Sequence, residues 1–303
     1  MCLIAESIYL CIIKLMLIMK KDQLKRKCIF GCEGKLSKEH IISNWITKEF
    51  PNSETHHSAG LLLQDENDKN LYTVDPNSIK QGNVRQVTVR SVCLECNNGW
   101  MSTIVNNSKE SIRKLVNDEE IILTDEIKRY LASFAVLSCI NYEQKELGST
   151  EASVGQEDLA YLKDNLMPSK NWEVWIAKSS HPMFQNSFSG RATVLRRVGS
   201  NDTQNNAFDF YMCIDGLVIV VRYNRTHIPY NEIFRNISGA LTNIWHLEES
   251  EKVFDNKRIL SDNNLSDLFH LTRSIPGTIV PAGPNPIDII EGLFGMKLFG
   301  DRK

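Results

Sequence analysis

The chain has 303 residues, 42% of them hydrophobic, which is ample for packed cores and makes it a globular chain of two domains or one large one. A net charge of -2, from 35 Lys and Arg against 37 Asp and Glu, excludes a protein that coats nucleic acid nonspecifically, since such a protein shows a strong basic excess. Eight cysteines fall as two close pairs and four singles (Cys2, Cys11, Cys139, Cys213), which is not a secreted disulfide framework and points to a reducing cytoplasm.

Residues 1–26 read as an N-terminal extension. Its first 19 residues are apolar apart from Glu6, Ser7 and Lys14, too short and too charged for a transmembrane helix. No basic region precedes the apolar stretch and no small-residue cleavage site follows it, so a signal peptide is not expected either. Two readings stay open: a start assigned upstream of a natural beginning at Met19-Lys20-Lys21, or a helix for a membrane surface or a partner. From Lys20 to Lys48 there are eight Lys or Arg against three acids, a segment that suits a polyanion or a solvated face.

Two cysteine knuckles follow, Cys28-Ile29-Phe30-Gly31-Cys32 and Cys93-Leu94-Glu95-Cys96. Together Cys28, Cys32, Cys93 and Cys96 can close a tetrahedral four-thiolate zinc site that fixes a small fold, the alternative being buried apolar thiols. Between them lies Glu39-His40, and just past the second knuckle Asn97-Asn98-Gly99-Trp100. A carboxylate beside an imidazole, close to an asparagine, offers oxygen and nitrogen ligands and a general base for metal-assisted hydrolysis. Trp45 and Trp100 read as core residues, with base stacking the alternative, and Asn98-Gly99 as a turn into a helix.

Residues 50–83 are rich in Asn, Asp, Ser and Gly and predict a long inserted loop, a flap over the site, with His56-His57 exposed in it. Alternation over Val87, Val89 and Ser91 predicts a strand entering the second knuckle. A helix is expected through Ile104, Ile112 and Leu115, ending near Asn117-Asp118. The clearest helix has Thr124 as its cap, Glu126 in its first turn and a broad apolar face from Ile127 to Ser138. A shorter helix spans Gln156 to Leu166. From Trp172 the pattern turns strand-like, at 172–176, 192–195, 208–213 and 217–221, with Asp215-Gly216 as a hairpin turn and 241–247 as a strand or short helix. Asn201 to Asn206 reads as a loop, 275–286 as irregular chain, and 287–299 as an apolar segment that packs on the body or on another subunit. The dispersed His181, His227, His246 and His270 have no acid or nucleophile at a useful offset, and the Ser-Gly pairs at 189–190 and 238–239 lack a nucleophile-elbow context. No GxGxxG or P-loop occurs, so no nucleotide cofactor is expected.

The first cysteine pair, the Lys38-Glu39-His40-Ile41-Ile42 core and the CxxCNNGW close resemble the HNH, or ββα-metal, endonuclease family, in its bacterial and phage type, over residues 27–110. The resemblance implies that His40 deprotonates a water that attacks a phosphodiester, that Glu39 helps hold one divalent ion, Mg2+ or Mn2+, and that Asn97, with Asn98 the fallback, completes the ligand set. It also implies a β-hairpin carrying His40 and a helix after Cys96 presenting the Asn ligand. The chain departs from the family in a C-x3-C first knuckle, in Glu where many relatives carry Asp, and in the middle Asn: Thr88 stands in that region, Asn83 is distant, and the role is unassigned.

The expectation is an α+β chain: a zinc-stabilised ββα-metal domain at 27–120, a helical connector at 121–170 and a β-rich C-terminal domain at 171–303 that positions DNA, recognises a trigger or dimerises. The expected function is a metal-dependent endonuclease acting on DNA. The alternatives are an RNA-cleaving nuclease and a non-catalytic zinc ribbon that binds nucleic acid or protein, with Glu39 and His40 structural.

Overall fold

The computed structural model describes residues 27–51, 56–59, 62–64, 72–74, 80–83, 86–146, 152–180, 186–193, 204–226, 240–245, 252–255, 259–261 and 263–265. The N-terminal extension, the four dispersed histidines and the segments 275–286 and 287–299 lie outside the described residues. The chain is mixed helix and sheet, with an antiparallel sheet in its C-terminal part. No helix among the described residues is long and apolar enough to cross a membrane.

The N-terminal part is made of very short elements: β1 (Glu39–His40), α1 (Asn44–Glu49), β2 (His56–Ala59), β3 (Leu62–Gln64), β4 (Tyr72–Val74), β5 (Lys80–Asn83) and β6 (Thr88–Val89). β1 pairs antiparallel with β6, Glu39 opposite Val89 and His40 opposite Thr88. The segment expected as a loop departs from that expectation. β2 pairs with β5 and β3 with β4, so two short antiparallel strand pairs lie in the sequence between β1 and β6. Cross-strand hydrogen bonding organises a stretch whose turn-forming residues alone suggested irregular chain.

Beyond β6 the chain forms a single turn at Leu94–Cys96 and a wider one at Asn97–Met101, kinked at Gly99, before α2 (Ser102–Val116). Asn117 closes α2, near the stop expected from the sequence. β7 (Ile122–Leu123) then leads to α3 (Asp125–Glu146), where Thr124 Oγ1 accepts a hydrogen bond from Ile127 N at 3.3 Å, as a cap should. Every residue of α3 from Leu131 to Ile140 is buried. A helix apolar around most of its girth needs partners on several sides, and α3 contacts α2, β1 and β6 on one side and the C-terminal sheet on the other.

α4 (Gln156–Asn165) precedes that sheet, which comprises β8 (Trp172–Lys178), β9 (Asn186–Thr193), β10 (Ala207–Ile214), β11 (Leu217–Asn224) and β12 (Thr242–Trp245) in the order β12-β8-β11-β10-β9. β13 (Lys252–Val253) pairs with β7. The Asp215-Gly216 turn joins β10 to β11, with φ of 44° and 85°, the left-handed pair that a two-residue hairpin requires. Alternate residues face opposite ways: Val174, Ile176, Phe208, Phe210 and Val221 join the cluster shared with α3, whereas Trp175, Tyr211, Val218 and Val220 join a second one with Leu241, Leu260 and Leu265. Both faces are covered, so β10 and β11 are buried almost throughout.

Three sets of polar contacts pin these elements, two of them between helix and sheet and one within the sheet. Lys178 Nζ, on β8, donates to the carbonyls of Leu115 and Val116 at 2.9 and 3.2 Å and pairs with Asp118 at 2.7 Å, meeting the negative end of α2. Asp209 and Arg222, opposite each other on β10 and β11, form a buried ion pair at 3.0 Å. Asp158 of α4 is a buried acceptor for the Ser169 hydroxyl, for Asn171 Nδ2 at 3.0 Å and for the Tyr223 hydroxyl at 2.7 Å. Burial, and then that carboxylate, push the Tyr223 phenol well up. Asp158→Ala would leave these three donors in the interior without their acceptor, at a cost of about 3 kcal/mol or more; a lower denaturant midpoint with unchanged slope would show it.

Gly190 has a packing role rather than a catalytic one. It lies opposite Phe210 on the strand pair β9–β10, and the Tyr142 ring of α3 rests on it. A Cβ there would sit 2.8 Å from Tyr142 Cε1 and 2.9 Å from Phe208 Cε1. Gly190→Ala is expected to destabilise the fold by about 1–3 kcal/mol, read as a fall in thermal midpoint with no change in metal content.

Candidate functional site

The first knuckle is a tight turn in which Gly31 N donates to Cys28 O at 3.0 Å and Gly31 takes a φ of +74°. The left-handed glycine brings Cys32 back toward Cys28 despite the three-residue spacing. The second knuckle is held beside the first by backbone bonds from Ile29 N to Ser91 O, Ser37 N to Val92 O and Leu94 N to Lys35 O, all 2.9–3.0 Å. Cys93 then accepts the Cys96 backbone N–H on its sulfur at 3.5 Å. As a result the sulfurs of Cys28, Cys32, Cys93 and Cys96 lie within 4.8 Å of one another, a group that can hold a metal ion such as zinc. Sulfurs at the corners of a zinc tetrahedron with Zn–S bonds of about 2.3 Å would be about 3.8 Å apart. The observed separations of 3.9 Å for Cys28–Cys96 and 3.3 Å for Cys32–Cys96 bracket that value. Three of the four thiols are buried and Cys32 is half-buried. Phe30 and Trp100 pack edge-on at 4.8 Å beside them; Trp100 and Trp45, both expected in the core, are half-buried and pack against it, and Trp45 also lines the cleft formed by Glu39 and His40. Cys139 and Cys213 are buried elsewhere and belong to no such cluster among the described residues.

Glu39, His40 and Asn97 line one cleft of about 230 Å3. β1 supplies the first two, and Asn97 comes from the turn that follows Cys96, where its N–H is satisfied by Cys93 O at 3.0 Å. Asn97 Nδ2 donates to Ser37 Oγ at 3.2 Å and the amide also hydrogen-bonds Glu39. Burial pushes the Glu39 carboxyl up to about 7, against the stabilising hydrogen bonds from the His40 backbone and from Asn97. Burial also lowers the His40 imidazole below its usual range, so that it is neutral at neutral pH. Asn98 is exposed and is not among the lining residues. The structure thus brings together Glu39, His40 and Asn97, and separately the four cysteines, and leaves Asn98 outside. His56 and His57 lie on β2, beyond which the structure describes nothing of their side chains.

Sequence reasoning missed the remaining walls. α2 contributes Ser102, Asn106 and Lys109, and α3 contributes Phe134, Leu137, Ser138 and Asn141. Lys109 Nζ donates to Asn106 Oδ1 at 2.8 Å and stands 5.9 Å from the Trp45 ring centre, and the Arg113 guanidinium, paired with Glu49, lies 5.8 Å from the same ring. A signal for the α3 wall was present: Ser138 and Asn141 are polar, three residues apart, on the otherwise apolar face that begins at Phe134, and both are buried. Comparison of the chain with protein-family models, with curated proteins and with solved structures finds no match to any of the three.

Proposed function

We propose that the chain is a zinc-stabilised, Mg2+- or Mn2+-dependent endonuclease of the HNH type that hydrolyses phosphodiester bonds in DNA. The observation that carries this reading is the convergence of Glu39, His40 and Asn97 on one open cleft beside the four-cysteine cluster. The order of elements supports it, since an antiparallel strand pair carries the Glu-His dipeptide and the following helical segment carries the asparagine.

The donor set suits a hard cation. Among the described residues Glu39 takes its hydrogen bonds from the neutral Asn97 amide and the His40 backbone N–H, and burial disfavours its ionised form, which a bound cation would stabilise. A carboxylate and an amide oxygen, with the remaining positions left to water and phosphate, is the sparse ligand set that Mg2+ accepts. Glu39 and Asn97 would hold the ion, which when bound would offset the charge developing on the attacked phosphate and on the leaving oxygen. His40 is the proton acceptor for the attacking water: it is neutral, half-buried and presented from a strand backbone that fixes its direction. Lys109 is the one ammonium among the lining residues and would meet a phosphate of the bound strand.

The test is cleavage of supercoiled plasmid and of single-stranded RNA by the purified chain, with Mg2+, with Mn2+ and with chelator, and with zinc content measured on the same sample. Plasmid cleavage that requires the added ion supports the proposal. Cleavage of RNA alone would replace the substrate, and intact plasmid and RNA beside stoichiometric zinc would overturn catalysis in favour of a binding module.

A further inference from the structure

We infer that Lys163 is an outer member of the metal centre, a charge-compensating donor to the Cys32 thiolate that ties the knuckles to the C-terminal half of the chain. Lys163 lies in the last turn of α4, and its Nζ is 3.2 Å from Cys32 Sγ across 131 residues of sequence. Among the described residues its ammonium has no carboxylate within ion-pair distance, so the thiol is its partner rather than a bystander.

The chemistry of the centre explains why a lysine belongs there. Four thiolates around a divalent zinc carry a formal charge of -2, and three of the four sulfurs are buried, where an uncompensated charge is costly. The Cys93 sulfur already takes a backbone N–H from Cys96. Cys32 is the half-buried corner, the one that solvent and competing ligands reach first. An ammonium donating to that sulfur lowers the charge at the exposed corner and holds it in place, as outer-shell donors do for metal ligands generally.

α4 is itself fixed to the sheet. Asp158, one and a half turns before Lys163, accepts hydrogen bonds from Tyr223 of β11 and from Ser169 and Asn171 at the entry to β8. The helix that carries Lys163 to Cys32 is thus itself hydrogen-bonded to the sheet region through Asp158. Zinc retention in the N-terminal part is then a property of the whole chain.

The experiment follows zinc release from the full-length protein to an excess of a chromogenic chelator, for wild type, Lys163→Met, Lys163→Arg and the exposed α4 control Glu157→Gln. Lys163→Met is expected to lose zinc about 10-fold faster, the lower end of what outer-shell partners contribute. Lys163→Arg, which keeps the charge and the donors, is expected to release zinc at nearly the wild-type rate, and Glu157→Gln at the wild-type rate. Equal rates in wild type and Lys163→Met overturn the role of Lys163. So do Arg and Met variants that are equally fast, because that pattern reports helix packing and not charge. The inference rests on the zinc reading of the four cysteines and not on nuclease activity; a wild-type chain that purifies without metal and takes none up overturns that reading instead.

Discussion

His40→Ala is expected to slow phosphodiester cleavage by about 10^2- to 10^4-fold, the range over which a positioned general base accelerates a reaction. The argument is geometric before it is electrostatic. His40 takes its place in the β1–β6 pair through its backbone, opposite Thr88, so truncating the imidazole leaves the pair intact. The side chain is half-buried at the cleft wall and belongs to no hydrophobic cluster, so little packing is lost with it. Zinc content and the unfolding midpoint are therefore expected to match wild type. Added imidazole should restore part of the rate, because the cleft that held the ring remains. Glu39→Gln makes the complementary variant: it keeps size and hydrogen-bonding capacity but removes the charge facing the cleft, and should raise the Mg2+ concentration needed for half-maximal rate. Plasmid cleavage by His40→Ala at the wild-type rate would mean that the cleft is not the site of the chemistry.

How far the site could be read from the chain depends on sequence distance. Glu39 and His40 are adjacent, and Asn97 follows a cysteine that is itself marked by its partner three residues earlier, so each signal is local and was legible. Asn97 and Asn98 are neighbours in the sequence with the same side chain, and only the structure separates them, placing Asn97 on the cleft and Asn98 in solvent. Lys163 had no such local mark. A lysine in the last turn of a surface helix is what any amphipathic helix shows, and its contact with Cys32 depends on how α4 docks. The α3 wall was hidden for a related reason: its ten consecutive buried residues were readable as core, but not the several partners that this burial implies.

The sheet shows the same division. β10 and β11 are rich in β-branched and aromatic residues around a turn with its own chemistry, and their positions follow from the sequence. β9 does not, since it was expected at 192–195 and runs from Asn186 to Thr193 through Asn, Ser and Gly that have no preference for a strand. Its pairing is imposed by β10 along all eight residues and by Tyr142 lying on Gly190. The strand pairs β2–β5 and β3–β4 differ from expectation likewise, because strand pairing across a polar segment leaves no clean hydrophobic period to read.

Removing the metal is expected to disorder the site and spare the sheet, and Cys93→Ser is the variant that shows it. The knuckle region has little regular structure of its own to hold it: β1 and β6 are two residues each and α1 is six, and the rest is a few cross-chain hydrogen bonds and the packing of residues such as Phe30, Ile41 and Val92. Metal binding contributes about 10–16 kcal/mol in small zinc-folded peptides, comparable to the whole stability of a typical domain, about 5–15 kcal/mol. Cys93 is wholly buried, joins Leu36 in a β-bridge and caps the turn that presents Asn97, so losing its thiolate disturbs the ligand set and the cleft together. The sheet keeps its second face, packed with Leu241, Leu260 and Leu265, and its Asp209–Arg222 and Asp158–Tyr223 contacts, none of which involves the four cysteines. Hydrogen exchange is the measurement: protection should collapse in peptides covering 28–40 and 88–97 and persist at 207–224. Uniform loss would mean that the chain unfolds as one unit, and unchanged protection would mean that the thiols are ordinary core residues. Both Cys93→Ser and His40→Ala should abolish or nearly abolish cleavage, yet only the first should open the knuckle to exchange, and that difference separates the group that builds the site from the group that works in it.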